Sequence, residues 1–262
     1  MGTSGTVLIT GASGGIGYEL AKLFARDHHD LVLVARSADK LAQVAAEMQD
    51  RGVHVKTIAL DLGQPQAAKF LVDQLQIAGV TVEMLVNNAG YGAYGEFAQM
   101  AEADILGQIH LNITALTHLT RLLLPGMLAR RSGRVMNVAS TAGFQPGPLM
   151  AVYYATKAYV ISFSEALANE VRNTGVTVTC FCPGATHTGF AARAGNDKTR
   201  IFKQLGAMAA NNVALDGYRA MMEGKTLAIS GVHNWLTAQS TRFAPRKLVT
   251  AISRWVSEPP GP

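Results

Sequence analysis

Short runs of apolar residues alternate along the chain with segments whose apolar positions recur three and four apart. The runs at 7–10, 31–35, 53–60, 84–86, 135–138 and 176–181 are rich in Val, Leu and Ile and predict strands, most of them buried on both faces. The segments at 16–26, 40–51, 67–78, 104–130 and 152–173 predict helices. Strand–helix alternation of this kind predicts an α/β fold, a doubly wound parallel sheet with helices on both faces. After Pro183 the pattern loosens. Residues 186–226 carry mixed helical signals, and Ala194-Gly195-Asn196-Asp197 is expected to be an exposed loop. A last strand is predicted at 227–230 and a last helix at 246–256, before a proline-rich tail at 259–262 that is expected to fray. No linker composition or repeat divides the chain, so residues 1–262 are expected to form one domain, with 186–226 as a substrate-binding loop or lid inside it.

The composition narrows the class. Hydrophobic residues are 48% of the 262 positions and charged residues 16%, which suits a sheet covered on both faces. The net charge of +5 is modest, and its only tight cluster is Arg130, Arg131 and Arg134, expected at a solvated helix end. No nucleic-acid partner is therefore expected. Cys180 and Cys182, the only cysteines, share one face of a strand at a poor spacing for a disulfide and are expected to be buried thiols in a reducing compartment. No metal-ligand spacing surrounds them, and no metal is expected. The first residues lack a secretory signal pattern, and no apolar run is long enough to span a bilayer. A cytoplasmic location without a membrane span is the expectation.

Residues Thr10-Gly-Ala-Ser-Gly-Gly-Ile-Gly17 follow the first predicted strand and open the first predicted helix. Such a turn presents backbone N–H groups where a pyrophosphate can sit. Gly11 is expected to permit the tight turn, Gly15 to let backbone approach phosphate, and Gly17 to let helix pack on strand. Ser13, Gly14 and Ile16 complete the loop. The second strand ends in Ala35-Arg36 with no acid to take a ribose 2′-hydroxyl. A guanidinium there pairs with a 2′-phosphate, so NADP(H) is the expected cofactor, with Ser37 adding a hydrogen bond. Asp61, at the end of the third strand, is expected beside the adenine. Asn87-Asn88-Ala89-Gly90 follows the fourth strand, with Asn87 read as either scaffold or contact.

Tyr153 and Lys157 are four apart and share a helix face. An ammonium beside a phenol lowers its pKa and suits it to proton transfer at an alcohol oxygen. Tyr154 lacks that partner, because Ala158 occupies its i+4 position. Ser140, at the end of the fifth strand, is placed to hydrogen-bond a carbonyl oxygen as charge develops. It sits in no nucleophile elbow, which argues against a hydrolase. Asn112 interrupts an apolar helix face, either as a satisfied polar residue or holding a water near Lys157.

Together, Thr10–Gly17, Asn87–Gly90, Asn112, Ser140, Tyr153-x-x-x-Lys157 and Pro183-Gly184 resemble, in order, the short-chain dehydrogenase/reductase family over roughly residues 6–190. The resemblance implies a Rossmann-type sheet of about seven parallel strands. It implies Tyr153 as general acid/base, Lys157 lowering its pKa and binding the nicotinamide ribose, Ser140 positioning the substrate oxygen, and Asn112 supporting a proton relay. Leu62 and Asn88-Ala89-Gly90 would join the cofactor site. Pro183, Gly184, Thr186 and Thr188 would border the nicotinamide. The implied activity is NADPH-dependent reduction of a carbonyl, either a ketone or a 3-oxoacyl group. Oxidation of the alcohol, and a nucleotide-binding sensor or scaffold without turnover, stay open as alternatives. Phe190, Phe202, Leu205, Met208, Met221 and Met222, with Tyr91 and Tyr94 at the mouth, are candidates for an apolar substrate pocket or for ordinary core. A homodimer or homotetramer is expected through the long helices.

Overall fold

The computed structural model describes residues 5–203 and 206–260. The strands in chain order are β1 (Thr6–Thr10), β2 (Asp30–Ala35), β3 (Val55–Ala59), β4 (Val82–Asn87), β5 (Gly133–Val138), β6 (Val176–Cys182), β7 (Thr186–His187), β8 (Met208–Ala209) and β9 (Leu227–Ile229). The helices are α1 (Gly15–Arg26), α2 (Ala38–Gln49), α3 (Ala67–Ile77), α4 (Glu102–Ile109), α5 (Leu116–Arg130) and α6 (Ala151–Glu170). They continue with α7 (Phe190–Ala194), α8 (Arg200–Lys203), α9 (Ala210–Met222), α10 (Val232–Ser240) and α11 (Arg246–Ser257).

Seven strands form one parallel sheet in the order β3-β2-β1-β4-β5-β6-β9, while β7 and β8 pair separately. This is the Rossmann-type arrangement. The chain builds outward from β1 to β3 and then returns to place β4 on the other side of β1. The reversal opens a crevice between the C-terminal ends of β1 and β4, where such sheets bind ligands. Side chains alternate across the sheet. Val7 and Ile9 join Leu20, Phe24, Val213 and Met221 on the α1/α9 side. Leu8 joins Leu71, Leu75 and Leu119 on the α3/α5 side. All three β1 residues are fully buried, which explains the unbroken apolar run there.

Several expectations are corrected. The predicted helix at 104–130 forms as a continuous helical run, α4 to α5, but its middle, His110–Ala115, is a π-helical turn. The turn falls where Asn112 bonds off the helix, to Tyr91 and Thr156. The segment 194–197 is not simply exposed. Ala194 and Asn196 are buried, and Asn196 Nδ2 contacts Met150 Sδ at 3.3 Å. The arginine cluster is more than a solvated helix end, because Arg130 donates to Val82 O at 3.0 Å and Arg134 to Met221 O at 3.2 Å. Helix α10 lies where no element was expected. Cys180 and Cys182 are buried free thiols with their sulfurs 3.8 Å apart.

Candidate active site

The C-terminal ends of β1, β2, β4, β5 and β6 open into one cavity of about 540 Å³. The glycine turn forms one end. Gly11 (φ +68°) and Gly15 (φ +57°) occupy the left-handed region that glycine tolerates. A Cβ at Gly17 would overlap the Gly11 carbonyl, so α1 reaches the turn only because position 17 lacks a side chain. Gly17 itself does not line the cavity. Thr10 Oγ1 accepts from the backbone N–H groups of Asn88 and Ala89 at 3.0 Å each. Asn88 Nδ2 donates to Thr10 O at 2.9 Å and Gly11 O at 3.2 Å. The loops after β1 and β4 are thereby joined.

The cavity side of the turn is open. A Cβ at Gly14 would meet nothing within 4 Å, and α1 begins there without a side-chain cap. An uncapped helix N-terminus beside open space fits a pyrophosphate. Ser13, Gly15, Ile16, Arg36, Ser37, Lys40, Asp61, Leu62, Ala89 and Gly90 also border this half. Ser37 has a structural duty as well, since its Oγ accepts from Lys40 N at 3.4 Å and caps α2. Asp61 Oδ1 accepts from Gly63 N at 2.9 Å.

At the other end, α6 brings up Tyr153 and Lys157. Lys157 Nζ donates to Val138 O at 2.8 Å and lies 5.8 Å from the Tyr153 ring centroid. Burial draws Lys157 down to about 8. Burial also pushes the Tyr153 phenol above its usual range, opposed by a hydrogen bond with the Ser140 side chain. The net direction on Tyr153 is therefore opposite to that expected from the Tyr–Lys spacing. Ser140 Oγ accepts from Ala142 N at 3.1 Å and donates to Pro183 O at 3.4 Å. Pro183, Gly184, Thr186 and Thr188 complete this wall.

Asn112 is buried and does not line the cavity. Its Nδ2 donates to Tyr91 O at 2.9 Å and Thr156 Oγ1 at 3.0 Å, and its Oδ1 accepts from Tyr91 N at 3.1 Å. These bonds fix the loop after β4 against α6, and Asn112 Oδ1 and Lys157 Nζ would lie 3.1 and 3.4 Å from a Cβ placed at Gly90. Asn87 is likewise scaffold, donating to Thr120 Oγ1 at 3.0 Å and Asn137 Oδ1 at 2.9 Å.

Phe190 and Phe202 line the cavity with Tyr94, Met150 and Tyr154. The Phe190 and Tyr153 ring centroids are 5.2 Å apart. Met208, Met221 and Met222 belong to the core, and Leu205 lies outside the described residues. Sequence reading missed Arg193. Its guanidinium carbon sits 4.3 Å above the Tyr91 ring and borders the cavity. Burial, and next the neighbouring Arg36, lower its pKa. No local pattern reveals a contact made across so much chain. Among the described residues no cluster of His, Cys, Asp or Glu could hold a metal ion, and no helix is long and apolar enough to cross a membrane.

This sheet and this constellation define a nucleotide-binding oxidoreductase site. The sequence matches the short chain dehydrogenase family over residues 5–199, and the chain belongs to that family. It is 38% identical over 182 residues to ketoacyl reductase HetN of Nostoc sp., covering 70% of this chain and 63% of that protein. It is 37% identical over 183 residues to the human very-long-chain 3-oxoacyl-CoA reductase, covering 67% and 57%. The match thus spans about three fifths of the length of these curated relatives. A short-chain dehydrogenase from Sphingobium yanoikuyae, solved in complex with NADPH, superposes with a TM-score of 0.82 at 34% identity, covering 91% of this chain and 94% of that one.

Proposed function

We propose that this protein is an NADPH-dependent carbonyl reductase acting on a ketone or 3-oxoacyl group. The observation that carries the reading is that the glycine turn, Arg36 and the Ser140, Tyr153 and Lys157 side chains open into one cavity. The NADPH complex of the Sphingobium relative and the reductase names of the Nostoc and human relatives support it.

NADPH, when bound, supplies the hydride. The protein supplies binding, orientation and a proton. The backbone of Gly11–Ile16 would hold the pyrophosphate, with Gly17 letting α1 reach the turn, and Arg36 with Lys40 would take the 2′-phosphate by charge and hydrogen bonds. Asp61, Leu62 and Asn88–Gly90 would flank the adenosine, and Pro183, Gly184, Thr186 and Thr188 would flank the nicotinamide.

Ser140 holds the carbonyl oxygen, and Tyr153 O–H delivers a proton to it as negative charge develops. A phenol carries its proton at neutral pH, and burial shifts Tyr153 further in that direction. Lys157, held by Val138 O, then stabilises the phenolate left behind. Phe190, Phe202 and Met150 offer an apolar wall to the substituents of the carbonyl.

NADPH oxidation against a panel of bulky ketones and 3-oxoacyl thioesters tests the reading. Carbonyl-dependent NADPH consumption is expected. Tight NADPH binding with no consumption across the panel would overturn it in favour of a nucleotide sensor.

A further inference from the structure

Most of the large apolar side chains that the described residues expose lie in α10, α11 and the turn between them. On α11, Leu248, Ile252 and Trp255 are four and three apart, share one helix face and are each about half exposed. Val249, Ser253 and Ser257 on the opposite side are buried. Lys247 and Arg254, seven apart, border the exposed apolar row. Among the described helices of eight residues or more, none separates its apolar and polar faces as strongly. On α10, Trp235 and Leu236 project in the same way, and Phe243 in the connecting turn is 88% exposed.

The charge on these helices is mostly positive, with Glu258 at the end of α11 and Glu96 facing Arg254. Between Glu223 and Glu258 the chain carries Lys225, Arg242, Arg246, Lys247 and Arg254 and no acidic residue. Lys225 is paired with Glu223, and Arg254 donates to Glu258 at 2.8 Å. Arg242, Arg246 and Lys247 are exposed. Tryptophans and aliphatic residues on one face, bordered by Lys and Arg, form the surface of a helix that lies in a membrane interface. A second copy of the chain would set this basic row against itself. We propose that α10 and α11 dock the protein peripherally on an anionic lipid surface, with Leu248, Ile252, Trp255 and Trp235 entering the interface.

Trp235 and Trp255 are the chain's only tryptophans, so their fluorescence reports on this surface alone. The full chain is mixed with vesicles of phosphatidylcholine, or of phosphatidylcholine with phosphatidylglycerol. Co-sedimentation and a blue shift are expected with the anionic vesicles, weakened by salt, and roughly tenfold weaker binding with neutral ones. Leu248→Gln/Ile252→Gln and, separately, Arg246→Glu/Lys247→Glu are each expected to lower anionic-vesicle binding about tenfold without changing thermal unfolding. No binding to anionic vesicles, or binding indifferent to lipid charge and to both variants, would overturn the proposal. So would a lipid-free dimer in sedimentation velocity that Leu248→Gln/Ile252→Gln dissociates, because it assigns the face to a second copy. The vesicle readout needs neither NADPH nor a carbonyl, so its failure is separate from failure of the reductase reading.

Discussion

Lys157 Nζ lies 2.8 Å from the carbonyl oxygen of Val138, tying the ammonium of α6 to the last residue of β5. The bond fixes the cation beside Tyr153, and the burial that goes with it has a measurable cost. Lys157 falls from 10.5 to about 8. Below pH 8 both folded and unfolded chains carry the proton. Between about 8 and 10.5 the unfolded chain binds it and the folded chain does not, so this group's contribution to stability rises with pH. The Tm of the native chain minus that of Lys157→Met is expected to become more positive from pH 8 to 10. A difference that shrinks or stays flat would contradict the burial argument.

Arg36 is exposed at the end of β2 and borders the cavity beside Lys40. Arg36→Asp replaces a phosphate partner with a repelling carboxylate. The Kd for NADPH is expected to rise by about tenfold to a hundredfold, with NADH changed far less. Equal losses for both cofactors, read by isothermal titration, would remove Arg36 from the 2′-phosphate site.

Arg193 reaches back from α7 to stack on Tyr91 near Arg36. A cation there adds to the field on the phosphate half of the cavity. Arg193→Ala is expected to weaken NADPH about fivefold and to reduce the salt dependence of binding. An unchanged Kd at low and high salt would leave Arg193 a packing residue.

Two neighbouring glycines are expected to respond differently. In Gly17→Ala the new Cβ meets the Gly11 carbonyl and lies 2.5 Å from Asn88 Nδ2, so stability should drop by about 1–3 kcal/mol. In Gly14→Ala the Cβ meets nothing, so stability should hold within about 0.5 kcal/mol. NADPH affinity should nevertheless fall, because the methyl enters the space assigned to the pyrophosphate. Urea unfolding and cofactor titration of both variants separate the two effects.

Local signals in the chain disclosed most of the sheet. Val7–Ile9 reads as strand because those residues are buried on both faces, and the glycine turn reads as a phosphate site because it joins a strand to a helix. Tyr153 and Lys157 were legible because i,i+4 spacing is a local fact. Arg193 on Tyr91 and Asn112 on Tyr91 were not, because each depends on how distant segments fold together. The π-helical turn at His110–Ala115 was hidden for the same reason, as the apolar spacing around it is that of an ordinary helix. Burial of Tyr153 also escaped sequence reading. Spacing reports which residues meet, whereas desolvation depends on Phe190, Met150 and Tyr154 closing around the phenol.

The most direct test is Tyr153→Phe. The substitution keeps the ring that packs against Phe190 and removes only the hydroxyl. NADPH affinity is expected to stay within about twofold, while carbonyl-dependent NADPH oxidation falls by about 10²–10⁴-fold. A variant that binds NADPH and still reduces the carbonyl at the native rate would contradict proton transfer from Tyr153.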